Sequence, residues 1–197
     1  MKILGITGPS GSGKTTLCSL IQKNYDAFII DADNVAKSLS SNTETEYFRK
    51  MVNLFGNEVL RPDGNLNRKE VAKIIYNDNE KRKALNLLTF KYVVYDIENQ
   101  IRDVQSSNYK YIAIDVPLLY EAKMENICDK VIAVVAEDKE KVLRICMRDN
   151  IDEKLARQRL QIQNNNEFFV KKADFVIHND GTIDKLEKSL KEIIEKI

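Results

Sequence analysis

The sequence contains one histidine and three cysteines among its 197 residues, and this scarcity excludes several kinds of site. A zinc site or a Ser-His-Asp triad needs companion ligands or partners, and His178 stands alone within an apolar segment. Cys18, Cys128 and Cys146 are odd in number and far apart, so they predict neither a disulfide framework nor a zinc knuckle. We therefore interpret them as small buried or half-buried side chains.

Long apolar segments and charge of a single sign are also absent. No apolar run approaches the ~18 residues that a membrane-spanning helix needs, and the N-terminal MKILGIT is strand-like, unlike a cleavable signal. The 31 basic residues balance 30 acidic ones, which argues against binding nucleic acid through bulk electrostatics. We expect a soluble, cytoplasmic protein that binds neither nucleic acid nor a membrane, and no obligate protein partner is evident.

Five short segments rich in Ile and Val alternate with amphipathic stretches of helical period. Near-continuous apolar runs suit strands that are buried on both faces of a parallel sheet. The predicted strands are Lys2–Ile6, Ala27–Ile30, Tyr111–Val116, Lys130–Ala136 and Asp174–His178. This alternation predicts a doubly wound α/β fold with flanking helices. The polar run Asn164–Asn165–Asn166 predicts a mobile loop.

The segment between the second and third predicted strands is much longer than a simple crossover. It extends from Asp31 to Asn108 with a mostly helical pattern, whereas a crossover needs about a dozen residues. Within it, RPDGN at Arg61–Asn65 predicts a turn, since proline fixes φ and glycine or asparagine tolerates positive φ. We expect one folding unit over residues 1–197, with a helical insertion over about residues 34–108.

One motif dominates the functional interpretation. The segment GPSGSGKT, Gly8–Thr15, matches the pattern G-x-x-x-x-G-K-S/T and lies between an apolar strand and an amphipathic helix. Glycines let successive amides point at phosphate oxygens, and the helix start adds its own amides and the positive end of its dipole. Lys14 is predicted to reach the β- and γ-phosphates, and the Thr15 hydroxyl to coordinate Mg²⁺. The motif therefore predicts a nucleoside triphosphate site.

Three aspartates follow predicted strands and are candidates for metal binding and proton transfer. Asp115 ends the strand YIAID, and a carboxylate there suits Mg²⁺, which prefers oxygen ligands. Asp31 and Asp33 follow the second strand, at the edge where open α/β sheets bind ligands. One of the two can accept the proton of an attacking hydroxyl while the other caps the next helix. The residues alone leave open which aspartate takes which role.

Basic residues late in the chain offer charge neutralisation for a transferred phosphoryl group. Arg144 and Arg148 lie four residues apart on one predicted helix face, and Arg157 and Arg159 follow on the next helix. A helical lid can bring guanidinium groups to a phosphoryl-transfer site, although charged helix faces are usually only solvated. Both interpretations stay open for these arginines.

Seven segments, in this order and over almost the whole chain, resemble the dephospho-CoA kinase family. They are GITGPSGSGKTT, IIDADNVAKSL, RPDGNLNRKEVAKIIY, YIAIDVPLLYE, CDKVIAVVA, RICMRDNI and KKADFVIHNDG. The first is shared by many P-loop proteins, whereas the DAD, DVPLLYE and ADFVIHNDG runs are more particular. The resemblance implies a P-loop kinase fold: a five-stranded parallel sheet, a helical substrate-binding insertion and a helical lid over about residues 144–172. It further implies transfer of the γ-phosphate of ATP to the ribose 3′-hydroxyl of dephospho-CoA, the final step of coenzyme A synthesis.

The resemblance also implies roles for the residues of the matching motifs. Asp33 is the implied general base, with Lys14 and Arg144 as the other catalytic residues and Thr15 and Asp115 as ligands of Mg²⁺. The residues implied to bind ATP are Thr7, Gly8, Gly11, Ser12, Gly13, Lys14, Thr15, Thr16 and Arg148. Those implied near the acceptor or in the lid are Asp115, Pro117–Leu119 and Gln163, and Arg68 matches a family arginine of open role.

Two positions depart from the family pattern. The chain has Leu88–Thr89–Phe90 where the family usually has Leu-His-Pro, and Phe169 where it tends to have a lysine, for which Lys171 and Lys172 are possible substitutes. Because proline restricts the residue before it, this helix is expected to run straighter than in the family. Two alternatives are kept: a P-loop kinase acting on nucleosides or nucleotides, and a non-catalytic ATP-binding protein.

Overall fold

The apolar segments form a sheet of five strands in a computed structural model that describes all residues, Met1–Ile197. The strands are β1 (Lys2–Thr7), β2 (Ala27–Asp31), β3 (Tyr111–Asp115), β4 (Lys130–Val135) and β5 (Phe175–His178). Their order in the sheet is β2-β3-β1-β4-β5. The predicted five-stranded parallel sheet is confirmed, and each strand differs from its predicted bounds by one residue at one end.

The central position of β1 determines where polar residues meet. β1 pairs in parallel with β3 on one side and with β4 on the other. Side chains of both faces are fully buried, including Leu4, Ile6 and Ile114, which explains the continuous apolar runs. Ile6 lies in register with Asp115, so the segments that follow β1 and β3 leave the sheet at the same edge.

Nine α-helices accompany the sheet. They are α1 (Lys14–Asn24), α2 (Ala32–Ser41), α3 (Glu46–Phe55), α4 (Arg68–Asn77), α5 (Asn79–Val104), α6 (Asp138–Asp149), α7 (Glu153–Gln161), α8 (Asn166–Lys172) and α9 (Ile183–Ile194). Short 3₁₀ turns cover Asn57–Val59 and Met124–Ile127. None of the helices combines the length and the apolar character that crossing a membrane requires.

The chain divides into two compact units. The first unit comprises Met1–Ile30 and Val104–Ile197, and the second unit comprises Asp31–Asp103. In the first unit, the apolar faces of α1 and α9 pack on the sheet. This core includes Leu17, Ile21, Leu186, Leu190 and Ile193, each at most 6% exposed. The helical period of both segments reflects this one buried face.

The second unit has a core of its own, built by α3, α4 and the turn between them. Tyr47, Phe48, Met51, Phe55 and Val71 are buried together. Helix α3 begins where the Thr45 hydroxyl accepts the amide of Phe48, at 3.1 Å. The predicted turn at Arg61–Asn65 is present: Gly64 has a φ of 80°, and the Arg61 amide donates to the Asn65 carbonyl.

Helix α5 runs unbroken for 26 residues through Leu88–Thr89–Phe90. No proline interrupts the backbone hydrogen bonds of the helix at this point, and a straighter course than in the family stays a prediction.

Helix α8 is a helix that the sequence analysis does not predict; because it begins at Asn166, the polar run Asn164–Asn165–Asn166 forms a loop only over Asn164 and Asn165. Asn165 caps α8 by accepting the amide of Phe168, at 3.0 Å. Asn166 donates to the carbonyl of Ala136 at 2.8 Å, and Asn164 donates to the carboxylate of Glu121 at 2.7 Å. The three amides therefore anchor this segment, because asparagine serves a helix start as well as a loop.

Candidate active site

The loop between β1 and α1 has a shape that glycine permits. Gly8 has a φ of 139° and Gly13 a φ of 103°, in the region that L side chains rarely adopt. A Cβ on Gly8 would lie 2.0 Å from the carbonyl oxygen of Val134, and one on Gly13 would lie 2.1 Å from Nδ2 of Asn179. The loop backbone is thus packed directly against β4 and against the segment that follows β5.

The start of α1 favours an anion. Gly13 carries no side chain that could cap the helix, and the first turn contains no acidic residue. Lys14 is only 8% exposed, and its ammonium group donates to the carbonyls of Gly8 at 2.9 Å and Pro9 at 3.1 Å. A helix start of positive polarity and a buried ammonium group therefore lie within one loop, which suits a polyphosphate.

A hydroxyl and a carboxylate meet beside this loop. Thr15 Oγ1 donates to Oδ2 of Asp115 at 3.3 Å, and Asp115 is 8% exposed. Thr7, at the end of β1, is fully buried, and its hydroxyl lies 3.5 Å from the carbonyl of Pro117. No cluster of three or more His, Cys, Asp or Glu that could hold a metal exists in the chain. The Thr15 and Asp115 oxygens are hard ligands of the kind that Mg²⁺ prefers, and they would form part of a set that water and phosphate oxygens would complete.

Helix α6 contacts the loop through its arginines. Arg144 Nη1 donates to the carbonyls of Gly11 and Ser12 at 3.3 and 3.4 Å, and Nη2 donates to the carbonyl of Asn179 at 2.9 Å. Arg148 Nη2 lies 3.4 Å from the hydroxyl of Ser10. Both arginines with implied phosphate roles therefore lie at the loop.

The carboxylate of Asp149 forms ion pairs with two of the arginines, Arg148 and Arg159. Asp149 accepts both Nε and Nη2 of Arg148, at 2.7 and 2.9 Å, and also accepts Arg159 at 2.5 Å. The hydrogen bond from Arg148 is the main reason that the pKa of Asp149 lies below its usual value. Arg157 instead pairs with Glu153 along α7. Of the four arginines, Arg157 thus matches the solvated interpretation best.

Gln163 also reaches the phosphate loop. Its Oε1 accepts the backbone amide of Ser10 at 2.8 Å. The segment between α7 and α8 therefore contacts the phosphate loop at Ser10.

In the second unit, the structure distinguishes the two aspartates of the DAD run. Asp31 is the N-cap of α2: its carboxylate accepts the amide of Asn34 at 3.0 Å and the side chain of Asn34 at 2.8 Å. Asp33 lies in the first turn of α2 and lines a cavity of about 350 Å³. The capping role therefore belongs to Asp31.

This cavity combines a polar side with an apolar wall. Its apolar wall includes Met51, Leu66, Val71, Ile75 and Leu85. On the polar side, Arg68 Nη2 donates to the carbonyl of Lys37 at 2.9 Å and to the hydroxyl of Ser40 at 2.7 Å, which ties α4 to α2. Thr89, at the position of the family's histidine, shares a hydrogen bond of 3.0 Å with the Tyr47 hydroxyl. Burial raises the pKa of Tyr47.

Phe169, the other departure from the family pattern, is a core residue. It is 2% exposed and packs edge-on against Phe168, with ring centroids 5.3 Å apart. The ammonium group of Lys172 lies 4.9 Å from the ring centroid of Tyr120, and Lys171 pairs with Glu167 at 2.7 Å. The two lysines considered as substitutes are therefore engaged on α8 and its aromatic neighbours.

Sequence reasoning did not single out Asn179 or Tyr47. Both carry side-chain hydrogen bonds at the sites just described. The polar run NDG after the last strand is the available signal for Asn179, whereas nothing near Tyr47 distinguishes it from other aromatic residues of an amphipathic helix.

The parallel sheet and the phosphate loop after its central strand define a P-loop nucleotide-binding protein. A family model described as dephospho-CoA kinase matches residues 2–185. A relative named dephospho-CoA kinase from Carboxydothermus hydrogenoformans is 34% identical, over 100% of this chain and 94% of its own length. Another of that name from Fusobacterium nucleatum is 32% identical, over 99% and 98%. The chain belongs to the dephospho-CoA kinase family and is an ATP-dependent kinase, as the sequence predicts.

Two solved structures share the fold of this chain. The crystal structure of TT1252 from Thermus thermophilus superposes with a TM-score of 0.80 at 26% identity, covering 100% of this chain and 97% of that one. Dephospho-CoA kinase from Campylobacter jejuni shares the fold, with a TM-score of 0.69 at 24% identity and coverage of 98% and 96%.

Proposed function

We propose that this protein transfers the γ-phosphate of ATP to the ribose 3′-hydroxyl of dephospho-CoA, giving coenzyme A and ADP. The observation that carries the proposal is the complete phosphate loop, with the Lys14 ammonium group held at its rim, in a chain matched to the family over residues 2–185. Family membership supports the acceptor, and the loop supports the phosphoryl donor.

On the donor side, the loop amides and the start of α1 bind the phosphates of ATP. When ATP binds, the Lys14 ammonium group exchanges its two carbonyl acceptors for oxygens of the β- and γ-phosphates. This exchange is favourable because a hydrogen bond from a cation to a charged phosphate oxygen is stronger than one to a neutral carbonyl. Thr15 and Asp115 hold Mg²⁺, which supplies further neutralisation of the β- and γ-phosphates when bound.

On the acceptor side, we assign the cavity of the second unit to part of dephospho-CoA. Its apolar wall suits the aliphatic arm of that molecule, and Arg68 and Thr89 lie on its polar side. Asp33 accepts the proton of the attacking hydroxyl. The choice of Asp33 over Asp31 is supported by the hydrogen bond through which Asp31 caps α2. The carboxylate of Asp31 already has a structural role, whereas Asp33 is the other candidate base.

Arg144 and Arg148 stabilise the charge that develops during transfer. Both side chains already lie within hydrogen-bonding reach of the loop, at Gly11, Ser12 and Ser10. Guanidinium groups in such positions act on the equatorial oxygens of the transferred group. We assign residues 144–172, which include α7 and α8, to the lid.

An acceptor panel tests the proposal. The protein is incubated with ATP and Mg²⁺ together with dephospho-CoA, adenosine, AMP or no acceptor; ADP release is measured, and the product is identified by mass spectrometry and ³¹P NMR. We expect ADP release above the ATP-only rate with dephospho-CoA alone, and a new 3′-phosphomonoester signal. The Lys14→Ala variant, purified in parallel, controls for contaminating kinases. Faster turnover with adenosine or AMP, or none with dephospho-CoA, would overturn the proposal.

A further inference from the structure

The segment after β5, Asn179–Gly181, forms a turn that we call the NDG turn. The backbone amide of Asn179 donates to the carbonyl of Val135 at the end of β4, at 2.8 Å. The Asp180 carboxylate accepts the amide of Glu137, just before α6, at 2.6 Å. The turn is therefore anchored to both ends of the connection between β4 and α6.

From this anchored position, Asn179 reaches the phosphate loop. Its Nδ2 donates to the carbonyl oxygen of Ser12 at 2.8 Å. Arg144 completes the contact, because it donates to the carbonyl of Asn179 and lies 3.4 Å from the same Ser12 carbonyl. Two side chains from distant parts of the chain thus converge on one peptide group of the loop.

The orientation of this peptide group matters for phosphate binding. In a planar trans peptide, the C=O and the following N–H point in opposite directions. Holding the Ser12 carbonyl toward Asn179 therefore aims the Gly13 amide to the opposite side. Gly13 is the last residue before α1, where amides bind phosphate in loops of this kind.

The fit between Asn179 and the loop is tight. A Cβ on Gly13 would lie 2.1 Å from Asn179 Nδ2, so the asparagine side chain occupies the space that any larger residue would need. With φ of 103°, Gly13 has a backbone conformation that glycine permits and that other residues rarely adopt.

We propose that Asn179 is a positioning residue for the phosphates of ATP: by holding the Ser12 carbonyl, it keeps the Gly13 amide directed at the nucleotide. The inference rests on the proposed function only in taking ATP as the ligand of the loop. Asn179 acts through the loop backbone and does not itself take part in phosphoryl transfer.

Asn179→Ala removes the contact, and Asn24→Ala is the matched control. Asn24 Nδ2 donates to Glu187 at 2.8 Å, so the control loses a hydrogen bond of the same donor group and length between α1 and α9. Calorimetry with ATP and Mg²⁺ gives the affinity for each variant, and steady-state kinetics gives KM for ATP and for dephospho-CoA. The thermal midpoint of each protein is recorded alongside.

We expect Asn179→Ala to raise Kd and KM for ATP about tenfold, which corresponds to about 1.4 kcal/mol, with KM for dephospho-CoA within twofold of the original protein. Asn24→Ala is expected to leave all three values unchanged. A lower thermal midpoint with unchanged ATP affinity would mean that Asn179 has a structural role only, and would overturn the inference.

If Asn179→Ala does not fold, the double variant Asn179→Asp/Asp180→Asn takes its place. It keeps side-chain volume and net charge and preserves an oxygen acceptor for Glu137, but it removes the donor to Ser12. The same loss of ATP affinity is expected, and wild-type affinity would contradict the inference. Because the calorimetry requires no acceptor, a protein that binds ATP without phosphorylating dephospho-CoA would refute the proposed function and still test Asn179.

Discussion

In the first unit, the candidate site consists largely of backbone groups: loop amides, a helix start and carbonyls held by Arg144 and Asn179. In the second unit, the cavity of about 350 Å³ is lined by side chains, among them Asp33, Arg68 and Thr89. Backbone groups recognise phosphate by shape and polarity, whatever molecule carries it. Side chains can be substituted individually, and a few placed polar side chains give an acceptor site its specificity.

The two departures from the family pattern lie one in each unit: Thr89 lines the cavity of the second unit, and Phe169 is a core residue of the first. The phosphate loop keeps its glycines, because a Cβ at Gly8 would collide with the backbone of Val134. In the cavity, Thr89 stands where the family usually has a histidine, and its hydroxyl shares a hydrogen bond with Tyr47. We therefore expect substitutions in the first unit to change chiefly the affinity for ATP. Substitutions in the second unit are expected to leave the affinity for ATP near its original value and to act on the acceptor side of the reaction.

The strongest test of this separation is Asp33→Asn in the second unit. Loss of a general base lowers kcat by roughly 10²–10⁴. The Kd for ATP, measured by calorimetry, should remain near its original value, since Asp33 is not part of the phosphate loop. Equal turnover in the variant would remove Asp33 from the base role.

The corresponding change in the first unit is Lys14→Met, which keeps length and removes charge. We expect weaker ATP binding and a turnover lower by about 10²–10³, because one preorganised cationic contact to the phosphates is lost. Calorimetry with ATP and with dephospho-CoA separates the two ligands. A loss of dephospho-CoA affinity as large as the loss of ATP affinity would break the proposed division between units.

Asp31 and Asp33 offer a comparison within the second unit. Asp31→Ala removes the N-cap of α2 and is expected to lower the free energy of unfolding by about 1 kcal/mol, while kcat changes little. Asp31→Asn retains an oxygen acceptor and serves as the control, with stability close to the original. Urea unfolding and turnover are measured on both. A loss of turnover like that of Asp33→Asn would contradict a purely capping role.

The last comparison concerns stability at alkaline pH. Burial, together with nearby Asp129 and Glu125, raises the pKa of Cys128 in the first unit from 9.0 to about 12. An unfolded chain loses this proton at lower pH than the folded one does. Stability therefore falls as pH rises from about 9 towards 12, by at most about 1.4 kcal/mol per pH unit from this thiol.

The measurement is the free energy of guanidinium unfolding at pH 8 and pH 10.5 for the original protein and Cys128→Ala. The variant should lose less stability between the two pH values, whatever its stability at pH 8, where the thiol is protonated in both states. An identical loss in both proteins would show that Cys128 does not contribute. Tyr120, whose pKa is raised to about 12 chiefly by burial, accounts for part of the remaining decrease.

Much of the fold was predictable, because the patterns that indicate it involve residues close together in the sequence. The five strands are continuous apolar runs, and the phosphate loop lies in the predicted strand-to-helix connection. Helix α8 was missed because it is short and begins with asparagines that read equally well as a loop. Helix α5 continues through Thr89 and Phe90, where the chain lacks the proline of the family pattern.

The candidate site was predictable in composition but not in its contacts. Lys14, Thr15, Asp115, Arg144 and Arg148 were all named from motifs. The partners of Arg144, however, are carbonyls at Gly11, Ser12 and Asn179, and no pattern along the chain reports such pairings.

The sequence by itself determined the class of fold, the phosphate loop and the family, since each depends on residues close together in the chain or on their order. Only the tertiary structure decided that Asp31 caps α2 while Asp33 lines a cavity, that Phe169 belongs to the core, and that Asn179 holds Ser12. Asn179 and Ser12 are 167 positions apart. Contacts between distant residues depend on how the elements pack, and the local preferences of the chain do not encode that packing.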